Sequence, residues 1–217
     1  MNEVKDKLNV PIKWLMLFLV LITFTACDSK KKVEIRNNAG VVIESYFVDK
    51  NDPNTRIGAY TKYYDNGKIL ETGIYKNGKL NGEKKMYHEN GKLMQVENYV
   101  DDKFNGPFRS YSEDGILVQE GAYTDNQMSG IWKNYYSDTK KTLKNEYTFK
   151  EGRIDGPAKE YYANGKVSAE GNKVEIGDGA DAFDVFDGKV QVYDSLGKLE
   201  KIITYDKGRQ VSKQEEK

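Results

Sequence analysis

Residues 82 to 99 read GEKKMYHENGKLMQVENY, and this stretch decides the fold. A glycine opens it, tyrosines follow that glycine after five and seventeen residues, and Asn90-Gly91 lies between them. Asn-Gly between two short runs is the strongest short signal for a β-hairpin, because a type I′ turn needs positive φ at both central residues. The stretch therefore predicts two antiparallel strands joined by a tight turn.

The same pattern recurs along the chain. The opening glycine returns every 24 residues and then after 26 and 32, at Gly58, Gly82, Gly106, Gly130, Gly156 and Gly188. Tyrosines at the two positions described above account for 11 of the 16 tyrosines. A second turn, such as Lys76-Asn77-Gly78-Lys79, closes each unit. No run between turns has the length and 3.6-residue periodicity of a helix, so the pattern predicts roughly 12 to 14 short strands.

These residues resemble the MORN-repeat variant of bacterial exported proteins, over about residues 57 to 210. The resemblance implies an all-β fold, an elongated single-layer antiparallel β-meander built from about six 24-residue hairpin repeats. It says little about function. One branch of these proteins is assigned to antitoxins, which implies an alternative role as an antitoxin or immunity protein that neutralises a toxin by direct binding.

Rows of in-phase tyrosines become cross-strand neighbours in such a sheet, and we expect them to form its core. Gly73, Gly121 and Gly171 lack a side chain where a neighbouring aromatic ring can lie over the backbone. Phe108 and Trp132 follow their opening glycines by two residues and are expected to thicken the packing. The alternative is that the tyrosine rows form an exposed recognition surface, and both can hold on opposite faces.

The first 26 residues read as a signal peptide, with a weakly basic start and an apolar run from Trp14 to Ala26. That run is shorter than the about 20 residues of a membrane-spanning helix. It ends in Thr25-Ala26-Cys27, which resembles the lipobox of bacterial lipoproteins, although Phe24 stands where leucine is preferred. The resemblance implies cleavage before Cys27 and lipidation of Cys27. The alternative is an ordinary secretory signal, or a short anchor, with a coincidental cysteine.

The remaining segments flank or interrupt the repeats. We interpret residues 27–32 as a polar tether, 33–56 as a degenerate N-terminal capping half-repeat, and 57–210 as the repeat array. An insertion interrupts the array at 177–187, and residues 211–217 are interpreted as a charged tail. Repeat arrays have atypical ends because the outermost strands expose an unpaired edge.

Composition excludes several classes of function. The 34 basic and 34 acidic residues cancel, whereas a nucleic-acid binder needs a basic surplus, so no nucleic-acid partner is expected. One Cys and one His cannot form a Cys/His zinc site, and most acids stand at turns, where their side chains bond the local backbone. We therefore expect no catalytic residue, metal or cofactor; an envelope hydrolase stays the minor alternative. The single histidine, His88, is expected to be an exposed turn-flanking residue.

The insertion is the most unusual segment. Its acids recur every third residue, at Asp178, Asp181, Asp184 and Asp187, with Phe183 and Phe186 between them. This spacing is not that of an EF-hand loop, and a weak calcium site stays an open alternative to an acidic loop. Long insertions often carry partner contacts, so the candidate partner-binding residues are Asp178, Asp181, Phe183, Asp184 and Phe186.

Taken together, the sequence predicts a lipoprotein of the cell envelope, held at the membrane through a lipid on Cys27. Its repeat sheet is expected to act as a non-enzymatic scaffold for a protein partner. The antitoxin or immunity role is the alternative.

Overall fold

The turn signals of the sequence lie at hairpin turns. In the computed structural model, which describes residues 29–215, the turn glycines have positive φ, for example 81° at Gly67 and 84° at Gly165. Second turns reach the same region with other residues, such as Asn77 at 51° and Asp125 at 48°. Glycine, Asn and Asp tolerate this left-handed conformation best, so turn chemistry sets where each strand ends.

The turns separate seventeen strands. In chain order these are β1 (Lys30–Arg36), β2 (Val42–Asp49), β3 (Gly58–Tyr63), β4 (Ile69–Lys76), β5 (Lys79–Leu80), β6 (Gly82–Tyr87), β7 (Leu93–Val100), β8 (Lys103–Phe104) and β9 (Gly106–Tyr111). They continue as β10 (Leu117–Thr124), β11 (Gln127–Tyr135), β12 (Leu143–Lys150), β13 (Arg153–Tyr161), β14 (Val167–Ile176), β15 (Phe183–Tyr193), β16 (Leu199–Asp206) and β17 (Arg209–Glu215).

All seventeen strands form one antiparallel sheet in which each strand pairs with its neighbours along the chain. The two-residue strands β5 and β8 pair with the ends of β4 and β7, whose remaining lengths pair with β6 and β9. Apart from these strands, the described residues contain only turns and one short 3-10 helix, Gly179–Asp181. The prediction of an all-β single-layer meander is confirmed.

The ends of the sheet differ from the prediction. Strand β1 already begins at Lys30, inside the predicted tether, and pairs with β2 over its whole length. Strand β17 extends to Glu215, inside the predicted tail, and pairs with β16. Polar, charged residues suit outermost strands because one edge and both faces meet water. The sheet therefore has more strands than the repeats alone predict.

The pairing register corrects the position of one tyrosine. Each opening glycine pairs with the residue seventeen positions later in most units, as in Gly58 with Tyr75 and Gly106 with Tyr123. The unit from Gly130 has a longer first turn, so Gly130 pairs with Phe149 instead. The spacing assigns Tyr147 to the tyrosine row. In the structure Tyr147 lies two residues before the row position, which Phe149 occupies, and it pairs with Trp132.

The two faces of the sheet carry different residues because side chains alternate along a strand. The face with Tyr60, Phe108 and Trp132 holds most of the buried residues, and we call it the aromatic face. The other face carries Arg109 and Glu120 opposite each other, and we call it the ladder face.

Aromatic rings pack in a continuous chain across the aromatic face. Ring centroids are 4.7 Å apart for Tyr99 and Phe104, 5.0 Å for Phe104 and Tyr123, and 5.1 Å for Tyr123 and Trp132. Each such pair contributes about 0.5–1.5 kcal/mol beyond the apolar area it buries. The tyrosine row of this face is therefore core, as expected, and Trp132 is only 1% exposed.

The prediction that glycines make room for rings holds in two of three places. Tyr60 lies over Gly73 and Trp132 lies over Gly121. At Gly171 the neighbour is Val190, since Val replaces the aromatic residue two positions after Gly188.

Candidate functional site

The insertion folds into a hairpin that is longer than its neighbours. Strands β14 and β15 have 10 and 11 residues, and Glu175–Ile176 pair with Phe183–Asp184 beyond the point where other repeats turn. Each of the two strands has two additional residues, which extend the hairpin by about 7 Å. Only residues 177–182 lie outside the strands, so the prediction of a loop over 177–187 is wrong for its second half. Alternation continues there because each added residue finds a cross-strand partner.

Lys173 fixes the base of this hairpin. It occupies the position of the second tyrosine, opposite Gly156, and its side chain is 9% exposed. Its Nζ lies 2.9 Å from a Glu160 carboxylate oxygen and 2.7 Å from one of Asp184, and 3.3 Å from the Tyr147 hydroxyl. Burial alone would lower the pKa of Lys173, but the hydrogen bonds to Asp184 and Glu160 outweigh it and raise that pKa.

Aromatic rings surround the same ammonium group. Nζ of Lys173 lies 4.6 Å from the ring centroid of Tyr147 and 4.7 Å from that of Phe186, and Phe186 stacks on Tyr205 at 6.1 Å. Cation–π contacts of partly desolvated groups contribute about 0.5–2 kcal/mol each. The base of the hairpin is therefore held by charge and by packing at once.

Arg153 holds the tip of the hairpin from the neighbouring turn. Its Nη1 bonds Asp178 Oδ1 at 2.9 Å and its Nη2 donates to the Gly177 carbonyl oxygen at 2.7 Å, while Nε lies 3.5 Å from Glu175. Beside it opens a shallow cleft of about 450 Å³, lined by Lys150, Glu151, Arg153, Ile154, Asp155, Val174 and Glu175.

The five residues predicted to bind a partner are divided between the two faces. Asp184 and Phe186 lie together on the aromatic face at Lys173, where they are structural. Phe183 projects from the ladder face beside Ile176 and is 57% exposed. Asp178 is held by Arg153, and Asp181 lies exposed in the short 3-10 helix. Of the five, Phe183 has the properties of a contact residue.

Sequence reasoning missed Lys173 and Arg153. Lys173 stands where the repeat requires its second tyrosine, and a charge in a core row is the signal that could have revealed it. Arg153 belongs to an ordinary turn, Glu151-Gly152-Arg153, and only the fold brings it to Asp178, 25 residues later.

A second feature of the ladder face was also missed. Six residues of alternating charge lie directly opposite one another on strands β9 to β14, in the order Arg109, Glu120, Lys133, Glu146, Lys159 and Glu170. The basic and acidic groups of one hairpin are 3.5 Å apart in the first two pairs and 2.9 Å apart in the third. We call these six residues the charge row.

Tyrosines of the following repeat bind the acids of the charge row. The hydroxyl groups of Tyr135, Tyr161 and Tyr193 donate to Glu120, Glu146 and Glu170 at 2.8, 2.7 and 2.6 Å. The pKa of Tyr135 is raised to about 12, mainly by burial and secondly by the hydrogen bond to Glu120. The pKa of Tyr193 is also raised to about 12, mainly by the hydrogen bond to Glu170 and secondly by burial. Bonds from Tyr193 and Lys159 lower the pKa of the Glu170 carboxyl.

His88 corrects a further expectation. It is half-buried, and its Nε2 lies 3.1 Å from the Tyr111 carbonyl oxygen in the next repeat. Tyr64, Tyr136 and Tyr162 occupy the equivalent position and donate their hydroxyl groups to the equivalent carbonyls. His88 therefore replaces a tyrosine in a bond between repeats.

The predicted lipidation site, Cys27, and the predicted signal peptide lie outside the described residues. Within residues 29–215, no helix is long and apolar enough to span a membrane. Over the same range, His, Cys, Asp and Glu side chains do not form a group of three or more that could hold a metal ion.

Comparison with known proteins identifies some of these hairpins as repeats of a known type. Four segments match the family model described as MORN repeat variant, at residues 56–77, 80–101, 154–172 and 186–207. No curated protein matches the chain. The intervening hairpins from Gly106 and Gly130 share the same strand pairing, although their turns lack Asn-Gly. The chain therefore carries four repeats of the MORN variant, two over strands β3 to β7 and two over strands β13 to β16.

Proposed function

We propose that the chain is a lipid-anchored scaffold of the bacterial cell envelope that binds a protein partner without catalysing a reaction. The observation that carries this proposal is the β14–β15 hairpin, which extends beyond its neighbours and presents Phe183 with 57% of its surface exposed. An exposed aromatic side chain on a rigid support is typical of the few residues that contribute most of the binding energy of an interface.

Contacts at both ends of the hairpin support this role. Lys173 binds Asp184 at its base and Arg153 binds Asp178 at its tip, so Phe183 lies between two sets of contacts. A preformed contact loses little conformational entropy when it binds. Ile176 pairs with Phe183 across the hairpin and widens the apolar surface offered to a partner.

The anchor follows from the sequence. Cys27 precedes strand β1 by three positions, and three residues span at most about 11 Å, so a lipid on Cys27 would hold β1 close to the membrane. Strand β14 lies eleven strand spacings from β1, or about 50 Å along the sheet. The scaffold would thus present its partner site well away from the lipid headgroups.

Crosslinking in intact cells tests both parts of the proposal. An affinity-tagged full chain is compared with Phe183→Ser and with Ile74→Ser, a control that changes a similarly exposed apolar residue of the same face far from the hairpin. We expect one reproducible protein partner with the wild type and with Ile74→Ser, and at least about a tenfold loss with Phe183→Ser. Equal capture by all three chains would contradict the assignment of the site.

The anchor is tested separately with Cys27→Ala. We expect the wild type to fractionate with membranes and the variant to lose that association. A variant that stays at the membrane would refute the lipid on Cys27 and leave the partner site untouched. A partner that proves to be a toxin encoded beside this chain would make the scaffold an immunity protein.

A further inference from the structure

The charge row of the ladder face is complementary to a reversed copy of itself. It contains three basic and three acidic residues in strict alternation, and its neighbours on either side, Val96 and Gln191, are uncharged. Reversal of such a row places every positive charge opposite a negative one. We propose that two copies of this chain associate face to face through their charge rows, related by a two-fold axis that runs along the strands between β11 and β12.

The axis fixes every contact between the copies. Lys133 of each copy faces Glu146 of the other, Glu120 faces Lys159, and Arg109 faces Glu170. A shift by one strand would place like charges opposite each other, and a shift by two strands would leave charges without partners. Juxtaposed like charges repel each other, so full overlap is the selected arrangement.

The exposure of the row leaves its charges available to a second copy. The basic side chains keep 54%, 38% and 47% of their surface exposed, against 30%, 22% and 30% for the acids that they pair with. The basic groups therefore project and the acids are recessed. A projecting Lys133 can reach a recessed Glu146 of the second copy without separating its own pair, because a carboxylate accepts several hydrogen bonds.

Apolar residues flank the row and would be covered with it. Ile131 is 59% exposed and lies two residues from Lys133 on the same strand, at the centre of the contact. Pro107 and Pro157 lie exposed at the equivalent position of other strands. The axis places Ile131 over Thr148 of the second copy, and Pro157 over Ala122.

The area is sufficient for a specific dimer. Six strands at about 4.8 Å and about six residues at about 3.3 Å cover on the order of 600 Å² on each copy. The total of about 1,200 Å² is at the lower end of specific interfaces. Covering one face of a single-layer sheet with a second sheet also produces the two-layer arrangement that most β-proteins adopt.

Charge-swapped variants test the dimer. Two differently tagged copies of the full chain are co-expressed, extracted in a mild non-ionic detergent, and captured through one tag. We expect wild-type copies to capture each other. Lys133→Glu paired with itself, and Glu146→Lys paired with itself, should each show at least about tenfold less capture, because each homodimer gains two like-charge contacts.

The mixed pair is the decisive measurement. Lys133→Glu co-expressed with Glu146→Lys restores opposite charges at both intermolecular contacts, while each chain still has a broken row of its own. Capture should therefore return to within about threefold of wild type. Failure of wild-type copies to capture each other, or of the mixed pair to recover while circular dichroism shows both variants folded, would overturn the proposal.

Two controls complete the design. Lys140→Glu changes an exposed lysine at a turn outside the row and should leave capture unchanged. If the central variants do not fold, Arg109→Glu with Glu170→Lys repeats the exchange at the row's ends, where fewer neighbouring charges are disturbed. Phe183→Ser should not affect self-capture, so this dimer and the proposed partner site can fail independently.

Discussion

Trp132 lies flat against Gly121 of the neighbouring strand, so closely that a Cβ atom added to Gly121 would lie 2.3 Å from Trp132 Cδ2. The indole also donates from Nε1 to the Ala122 carbonyl oxygen at 3.1 Å. The ring and the bare backbone therefore form one packing unit at the centre of the aromatic face.

We expect Gly121→Ala to destabilise the protein by about 1–3 kcal/mol, because the added methyl group forces Trp132 out of its position. Urea unfolding followed by circular dichroism measures this change, since that signal does not depend on Trp132. In a Trp132→Leu background the same Gly121→Ala substitution should cost far less or stabilise, since alanine reduces the entropy of the unfolded chain. An equal loss in both backgrounds would contradict the packing unit.

Alkaline pH should weaken the bonds between the tyrosines and the charge row. The pKa values of Tyr135 and Tyr193 are raised to about 12 from 10.0, so the folded state keeps protons that the unfolded state releases. Their contribution to stability is complete below pH 10 and is lost as the pH rises from 10 through about 12. Unfolding measured across this range should show the fall.

The Glu170 carboxylate accounts for part of the raised tyrosine pKa values, because it accepts the hydrogen bond from Tyr193. In Glu170→Gln, the ultraviolet titration should show one tyrosine ionising at a lower pH, since Tyr193 loses its charged acceptor. Glu175→Gln, which changes an acid paired with Arg153, serves as the control. Identical titration curves for both variants and the wild type would exclude the assigned bond.

The contact of His88 determines its tautomer. A carbonyl oxygen only accepts hydrogen bonds, so Nε2 of His88 must carry a proton in order to donate to the Tyr111 carbonyl. Nitrogen NMR of the imidazole should show Nε2–H. We expect His88→Ala to cost about 1 kcal/mol in the free energy of unfolding and His88→Tyr to cost little, because tyrosine makes this bond in three other repeats.

Removal of Lys173 should loosen the β14–β15 hairpin. Lys173→Met leaves Glu160 and Asp184 near each other without their cation, and we expect a loss of about 1–3 kcal/mol, reduced by the partial exposure of both acids. Hydrogen exchange should quicken at residues 183–186. Lys173→Arg is the matched control, and Lys173→Met combined with Asp184→Ala should cost less than the sum of the single changes.

The sequence predicts the repeats well because hairpin turns depend on local chemistry. Asn90-Gly91 and Gly67 specify their turns within a few residues, and the rings over Gly73 and Gly121 follow from spacing alone. The charge row does not follow in this way. Each hairpin contains an irregularity in register, such as that between Asn134 and Tyr135, and a one-residue shift moves side chains to the other face.

Strand register also explains why the sequence does not predict the positions of the residues in the candidate site. Tyr147 keeps the spacing of the tyrosine row but not its position, since two extra residues precede it in the unit from Gly130. The sequence predicts a loop at Asp184 and Phe186, although these residues of β15 pair with Glu175 and Lys173 of β14. Pairing over long distances, such as Arg153 with Asp178, depends on where two turns meet in space.

The neighbour-only pairing of the sheet has a consequence for how this protein can change in length. Because backbone pairing joins each strand only to the strands next to it in the sheet, a whole hairpin can be duplicated or deleted without altering the strand pairing elsewhere. Each repeat adds two strand spacings, or about 10 Å. Copying one 24-residue unit would therefore increase the distance between the two ends of the sheet by this amount.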